Sequence, residues 1–185
     1  MNTIEQLEVI VDDLQRLAAN VRPDQFGNET PCTKFAVRDL FTHMIGGAGQ
    51  FAPQLRGLAA PESPPAGLDD AALPGALRAA LDDLLDAAKA PGAYDRTVTL
   101  PFGQVSGEVL VRFVTVDGMV HASDMARSTG QAYAPAEELA GEVLATARDL
   151  IQPAMRDGDT FAPETPVAGD ASNLTRLVAF TGRAI

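Results

Sequence analysis

One of the two histidines in the chain, His121, stands between two carboxylates. Asp117 precedes it by four residues, and Asp124 follows it by three. Residues three and four apart lie above one another on a helix, so the three side chains would share one face. The surrounding segment is rich in apolar residues, and a carboxylate buried there needs a partner for its charge. A metal ion, another cation or a hydrogen-bonded network would provide that partner.

The other histidine, His43, lies in a separate amphipathic segment. Asp117 and His121 on one helix, with His43 on another, would supply two imidazoles and one carboxylate. Three protein ligands that leave positions open for water or substrate are typical of catalytic zinc sites. The same donors suit non-haem iron, and nickel or manganese are further alternatives. Asp124 fits a role beside the ligands, either orienting an imidazole or pairing with Arg127 one turn later.

Simpler interpretations of these residues stay open. A histidine in a helical core is most often a hydrogen-bonded packing residue, and D-x-x-x-H is a loose pattern. Asp117 could instead be paired with an arginine of a neighbouring helix. The single cysteine, Cys32, lies beside a proline near a predicted helix start. Such a residue is more often a small buried apolar group than a nucleophile.

Amphipathic helices with short connections are predicted to position these residues in an all-α bundle. Apolar residues recur at three- and four-residue steps, and proline, glycine and capping residues mark the ends. We expect helices over residues 4–21, 34–58, 74–90, 106–130 and 135–152, a short helix over 173–180, and a hairpin or extended loop over 97–105. The second helix carries His43 and would be capped by Thr33. Its small residues at 46–49 would leave space for a close neighbour or a ligand.

Composition restricts the class of protein. A chain of 185 residues with 46% hydrophobic residues predicts one globular domain over residues 1–185. The net charge of −11 would repel phosphate backbones, so no nucleic-acid partner is expected. We see neither a membrane-spanning run nor a secretion signal, and we therefore expect no membrane partner and a cytoplasmic protein. A homodimer stays open, because a bundle can expose an apolar face.

Four segments, taken together, resemble a known family. In their order and spacing they are similar to an actinobacterial branch of the DinB-like superfamily, related to the N-terminal domain of mycothiol-dependent maleylpyruvate isomerase. The likeness runs from the second helix to the last one. The segments are Thr30-Pro31-Cys32-Thr33, Val37-Arg38-Asp39-Leu40 followed by His43, Val120-His121 with Asp124-Met125-Ala126-Arg127-Ser128-Thr129-Gly130, and Leu177-Val178-Ala179-Phe180-Thr181-Gly182-Arg183.

This resemblance implies a DinB-type four-helix bundle, with a small hairpin before the metal-site helix and a short C-terminal helix. It also implies a divalent metal held by a histidine of the second helix and an E-x-x-x-H pair on a later one. The corresponding ligands here are His43, Asp117 and His121. Aspartate replaces the usual glutamate and is shorter by one methylene, so a shifted metal, a bridging water or weaker binding would follow. Zinc is the expected metal, with nickel, iron or manganese as alternatives.

The resemblance further implies chemistry with a small thiol. Relatives use the metal to activate a low-molecular-weight thiol, which is a thiolate at neutral pH when metal-bound. We therefore expect a metal-dependent S-transferase or isomerase that uses mycothiol or a similar thiol and a small electrophilic substrate. Residues 46–49 and the hairpin at 101–103 would shape the pocket, and Arg127 would bind an anionic substrate group. A metal-water hydrolase and a non-catalytic metal- or ligand-binding bundle are the alternatives.

Overall fold

A computed structural model describes residues 1–62, 67–100, 103–156 and 161–185. These ranges contain helices and one antiparallel hairpin, and none of the described helices is long and apolar enough to cross a membrane. The elements, in chain order, are α1 (Thr3–Ala19), α2 (Val37–Leu55), α3 (Leu73–Lys89), β1 (Thr97–Leu100), β2 (Gly103–Ser106), α4 (Gly107–Thr129), α5 (Glu137–Leu150) and α6 (Asn173–Phe180).

The four longest helices form the bundle. Helix α1 packs between α3 and α4, and α3 packs in turn against α2. Of the four contacts between neighbouring bundle helices, the one between α2 and α4 is the least extensive. The bundle is therefore open between the two helices that carry histidines. Helices α5 and α6 pack on each other and against the outer face of α4. The fold is thus the predicted DinB-type four-helix bundle with a short C-terminal helix.

Local capping explains where the first two helices begin. The Asn2 side chain accepts a hydrogen bond from the Glu5 N–H, and the Glu5 carboxylate accepts one from the Asn2 N–H, which fixes the start of α1. The prediction that Thr33 caps the second helix is wrong. The helix starts three residues later than expected because the Asp39 carboxylate accepts from the Ala36 N–H at 2.9 Å. The Thr30 hydroxyl also contacts the Phe35 carbonyl at 2.7 Å, which holds the preceding residues in a loop.

The hairpin leads directly into α4. Its strands pair with Thr97 opposite Ser106 and Leu100 opposite Gly103. The Ser106 hydroxyl then accepts from the Val109 N–H at 3.3 Å, so the predicted cap of the central helix is confirmed. The tip at residues 101 and 102, which we expected to shape the pocket, lies outside the described residues.

Two glycines allow α4 to lie close to its neighbours. A Cβ atom built on Gly107 would lie 1.9 Å from the Ala93 carbonyl oxygen, so the first residue of α4 sits against the backbone before the hairpin. A Cβ on Gly118 would lie 2.8 Å from the Ile10 Cγ2 atom of α1. Gly118 directly follows Asp117. The close contact between Gly118 and α1 therefore fixes the position of the Asp117 backbone relative to α1.

We predict that Gly107→Ala lowers the free energy of unfolding by about 2 kcal/mol, because the added methyl group would overlap the Ala93 carbonyl and force the backbone to shift. Gly75→Ala is the matched control, since a Cβ there meets no atom within 4 Å and helix propensity improves. Urea unfolding followed by circular dichroism measures both changes. Equal stability of the two variants would contradict the close contact at Gly107.

Candidate metal centre

The structure brings His43, Asp117 and His121 together in the opening between α2 and α4. The Asp117 carboxylate lies between the two rings: Oδ1 is 3.3 Å from His121 Nε2, and Oδ2 is 3.5 Å from His43 Nε2. One ligand atom from each residue falls within 4.8 Å of the others. The imidazole rings meet edge to face, with centroids 4.9 Å apart. The i, i+4 spacing on α4 therefore places Asp117 and His121 side by side, facing His43 on α2.

Burial differs sharply across this group. The His121 side chain is 4% exposed, whereas those of His43 and Asp117 are 41% and 37% exposed. Phe35 covers both rings, with its ring centroid 5.3 Å from that of His43 and 6.2 Å from that of His121. One of the three side chains thus lies deep in the protein and two lie near solvent, so a small ion could reach the group.

The ring of His121 has both nitrogens engaged. Its Nδ1 atom lies 3.1 Å from Asp124 Oδ2, and a carboxylate accepts, so Nδ1 carries a hydrogen. Nε2 is thereby the nitrogen that points to Asp117 and could ligate a metal. Of the two roles that the sequence allowed for Asp124, the structure shows the contact with an imidazole.

An arginine holds Asp124, but it is not Arg127. Arg183 Nη2 lies 3.1 Å from Asp124 Oδ2, whereas Arg127 is exposed and donates to the Ala184 carbonyl at 2.7 Å. Arg183 therefore makes the pairing with Asp124 for which the sequence suggested Arg127, and the anion-binding role of Arg127 stays a prediction. Sequence spacing missed Arg183, which lies 59 residues from Asp124. Its only sequence signal was the last of the four segments that resemble the family.

The charges of this group depend strongly on one another. Burial disfavours a charged ring, but Asp117 and Asp124 outweigh it and raise the pKa of His121 to about 9. Burial likewise raises the pKa of Asp117, but the imidazoles of His121 and His43 outweigh it and hold that pKa well below its usual range. In the absence of metal, the pair is therefore an imidazolium and a carboxylate at neutral pH.

A cavity of about 340 Å³ opens beside the three residues. Its walls are mainly apolar, and all four bundle helices contribute to them. Gly47 lines the cavity, which agrees with the prediction that the small residues after His43 leave space for a ligand. A Cβ on Gly49 would meet nothing within 4 Å. Cys32 also lines it, and burial raises the pKa of that thiol, which keeps it neutral. The apolar wall residues include Leu7, Ile10, Val11, Leu14, Met44, Ala48, Phe51, Leu81, Leu84, Leu110, Phe113 and Val114.

Fold and site together define a helical-bundle protein in which two imidazoles and a carboxylate line a mainly apolar cavity. A sequence model described as the mycothiol maleylpyruvate isomerase N-terminal domain matches residues 7–126, and the chain belongs to this family. The matched residues include His43, Asp117 and His121, and they exclude Arg183.

Relatives and solved structures agree with this assignment. Uncharacterised proteins of Mycobacterium tuberculosis strains H37Rv and CDC 1551 are each 39% identical over 175 residues, which cover 94% of this chain and 93% of theirs. Crystal structures of the mycothiol-dependent maleylpyruvate isomerase and of a mutant of it share the fold, with TM-scores of 0.61 and 0.63 at 15% and 16% identity. The similarity covers 77% of this chain and 66% of the crystallised one, slightly under two thirds of its length.

We predict that the apparent affinity for zinc rises about tenfold per unit of pH between pH 6 and 8. The raised pKa of His121, about 9, means that the ring is protonated over this range. The ion must displace that proton, and displacement becomes easier as the pH rises. Calorimetry in two buffers of different ionisation heat measures the protons released when zinc binds. Affinity independent of pH would contradict the linkage.

Proposed function

We propose that this chain is a metal-dependent enzyme of the thiol S-transferase or isomerase type, which uses a low-molecular-weight thiol such as mycothiol. One observation carries the proposal: the side chains of His43, Asp117 and His121 converge in the lining of an apolar cavity that is large enough for small molecules. The thiol and a small electrophilic substrate would meet there.

The residues fit a divalent metal ion. Two imidazole nitrogens and a carboxylate form the donor set that zinc takes in catalytic sites, and three protein ligands leave coordination positions open. The Asp124 contact leaves His121 Nε2 as the ligating nitrogen, which is the usual arrangement for a metal-binding histidine. Zinc is our first choice, and nickel, iron and manganese suit the same donors. A divalent ion held there would supply Lewis-acid chemistry and lower the pKa of a thiol that reaches it.

The side chains of the protein have separate tasks in this proposal. His43, Asp117 and His121 would hold the ion, and Asp124 would keep the deepest of the three side chains in one orientation. The apolar walls bind the uncharged part of the electrophile and exclude water, which protects the thiolate from competition by hydroxide. The neutral thiol of Cys32 lines the cavity without acting as a nucleophile. The external thiol is therefore the nucleophile of the reaction.

The comparisons support this proposal at the level of the family. The matched family and the two crystal structures are named for a mycothiol-dependent isomerase. The chain spans slightly under two thirds of the length of that enzyme, so the isomerisation itself and its substrate are not carried over. A small thiol kept reduced points to the cytoplasm as the site of action.

We predict that the untagged protein, purified from cells, carries about one divalent ion per chain and that His43→Ala and His121→Ala each lose it. Removing one of three protein ligands leaves too few donors to retain the ion through purification. Elemental analysis measures the content. The matched control is Asp86→Asn, which removes an exposed carboxylate on α3 and should change nothing. A wild-type protein that is empty and cannot be loaded with any of the four metals would refute the proposed site.

The thiol is tested separately from the metal. We predict that mycothiol binds the metal-loaded protein but not His121→Ala, and that loaded protein accelerates the reaction in which the thiol displaces halide from a fluorogenic halobimane. Calorimetry and fluorescence measure the two steps. Hydrolysis of ester substrates that does not depend on thiol would instead indicate a metal-water hydrolase. Metal without thiol binding or turnover would indicate a non-catalytic bundle.

A further inference from the structure

We propose that Arg183 is a positioning residue of the metal centre: it fixes the carboxylate of Asp124 and, through it, the ring of His121. This inference rests on the proposed metal site and adds a residue to it. Arg183 lines the same cavity but belongs to the segment that follows α6, not to the two helices that carry the ligands. Its effect on the site would therefore pass through Asp124.

The geometry joins three residues at one oxygen atom. Asp124 Oδ2 accepts from Arg183 Nη2 at 3.1 Å and from Arg183 Nε at 3.4 Å. The same oxygen lies 3.1 Å from His121 Nδ1. Two guanidinium nitrogens therefore meet the same carboxylate oxygen, in charge-assisted contacts that are stronger than those between neutral groups. The oxygen that orients the imidazole is thus the oxygen that the arginine holds.

Burial prevents water from replacing the contact between Arg183 and Asp124. The Asp124 side chain is 1% exposed and that of Arg183 is 9% exposed. Water is therefore not at hand to solvate the carboxylate if the guanidinium is removed, and the balance between its two charged partners shifts to the ring of His121, which already contacts it. We expect the carboxylate to turn and take the ring with it.

The backbone around Arg183 is built to aim it at α4. Helix α6 ends in a Schellman motif, in which Gly182 N–H bonds the Ala179 carbonyl and Arg183 N–H bonds the Val178 carbonyl. Gly182 has a φ of 88°, and a Cβ there would lie 2.5 Å from the Ala162 Cβ. The turn therefore requires glycine for its conformation and for space. The position of the Arg183 backbone is therefore fixed by this turn.

The test compares Arg183→Gln and Arg183→Lys with Arg127→Gln. Arg127 is the matched control because its guanidinium also bonds this segment, at the Ala184 carbonyl, but does not contact Asp124. Cobalt(II) affinity is measured by competition with a chromophoric chelator on untagged, folded protein. We expect Arg183→Gln to bind cobalt about 10–100-fold more weakly than wild type. Arg183→Lys keeps the charge and should recover part of the loss, and Arg127→Gln should match wild type.

A second readout needs no metal. In the metal-free protein, proton NMR should show a slowly exchanging Nδ1–H resonance from His121, identified by its loss in His121→Ala. We expect this resonance in wild type and Arg127→Gln, and its loss or a large shift in Arg183→Gln. Arg183→Lys should give an intermediate position. This signature reports the orientation of the ring and would not follow from a general loss of stability.

The outcomes separate this inference from the proposed function. Folded Arg183→Gln with wild-type cobalt affinity and an unchanged Nδ1–H resonance overturns the positioning role and leaves the metal site standing. If Arg183→Gln does not fold, Arg183→Lys decides in the same way, and wild-type values in that variant overturn the role. If wild type binds no metal, the proposed function fails, and the resonance alone supports or overturns the contact between Arg183, Asp124 and His121.

Discussion

A carboxylate that is 1% exposed needs its charge compensated where it lies, and Asp124 has two partners for this purpose. One is His121, on the same helix, and the other is Arg183, from the segment after α6. Both partners meet the same oxygen, so the positioning role proposed for Arg183 would make the orientation of the deepest imidazole depend on how α6 packs against α4. The last helix lies outside the four-helix bundle, yet on this proposal the site inside the bundle depends on it.

The bundle is tight on one side of α4 and open on the other. Gly118 lets α4 approach α1 so closely that a methyl group there would displace the Ile10 side chain, whereas the contact between α2 and α4 is less extensive. Asp117 precedes that glycine, so its backbone cannot move toward α1 and its side chain faces the opening. This arrangement explains why an aspartate reaches both imidazoles although its side chain is short.

Local signals in the sequence were sufficient for the helices but not for every contact. Ser106 and Gly130 mark the ends of α4, and the predicted short helix over residues 173–180 is confirmed, because caps and apolar periodicity act within one or two turns. The α2 start was misplaced because Asp39 caps the helix from inside it. The spacing on α4 and the family resemblance together predicted the three clustered residues. Arg183 was missed because its contact with α4 is long-range.

The apolar cavity occupies space that side chains would fill in a fully packed bundle. The stability of the folded protein therefore depends on whether a compound occupies the cavity. Any compound that binds only the folded chain raises the unfolding free energy, by about 2.7 kcal/mol at a concentration one hundred times its dissociation constant. The unliganded bundle forgoes the packing contacts that larger wall residues would provide, a common cost of a functional site. Thermal denaturation in the presence of candidate thiols and electrophiles would therefore rank them by affinity without any knowledge of the reaction.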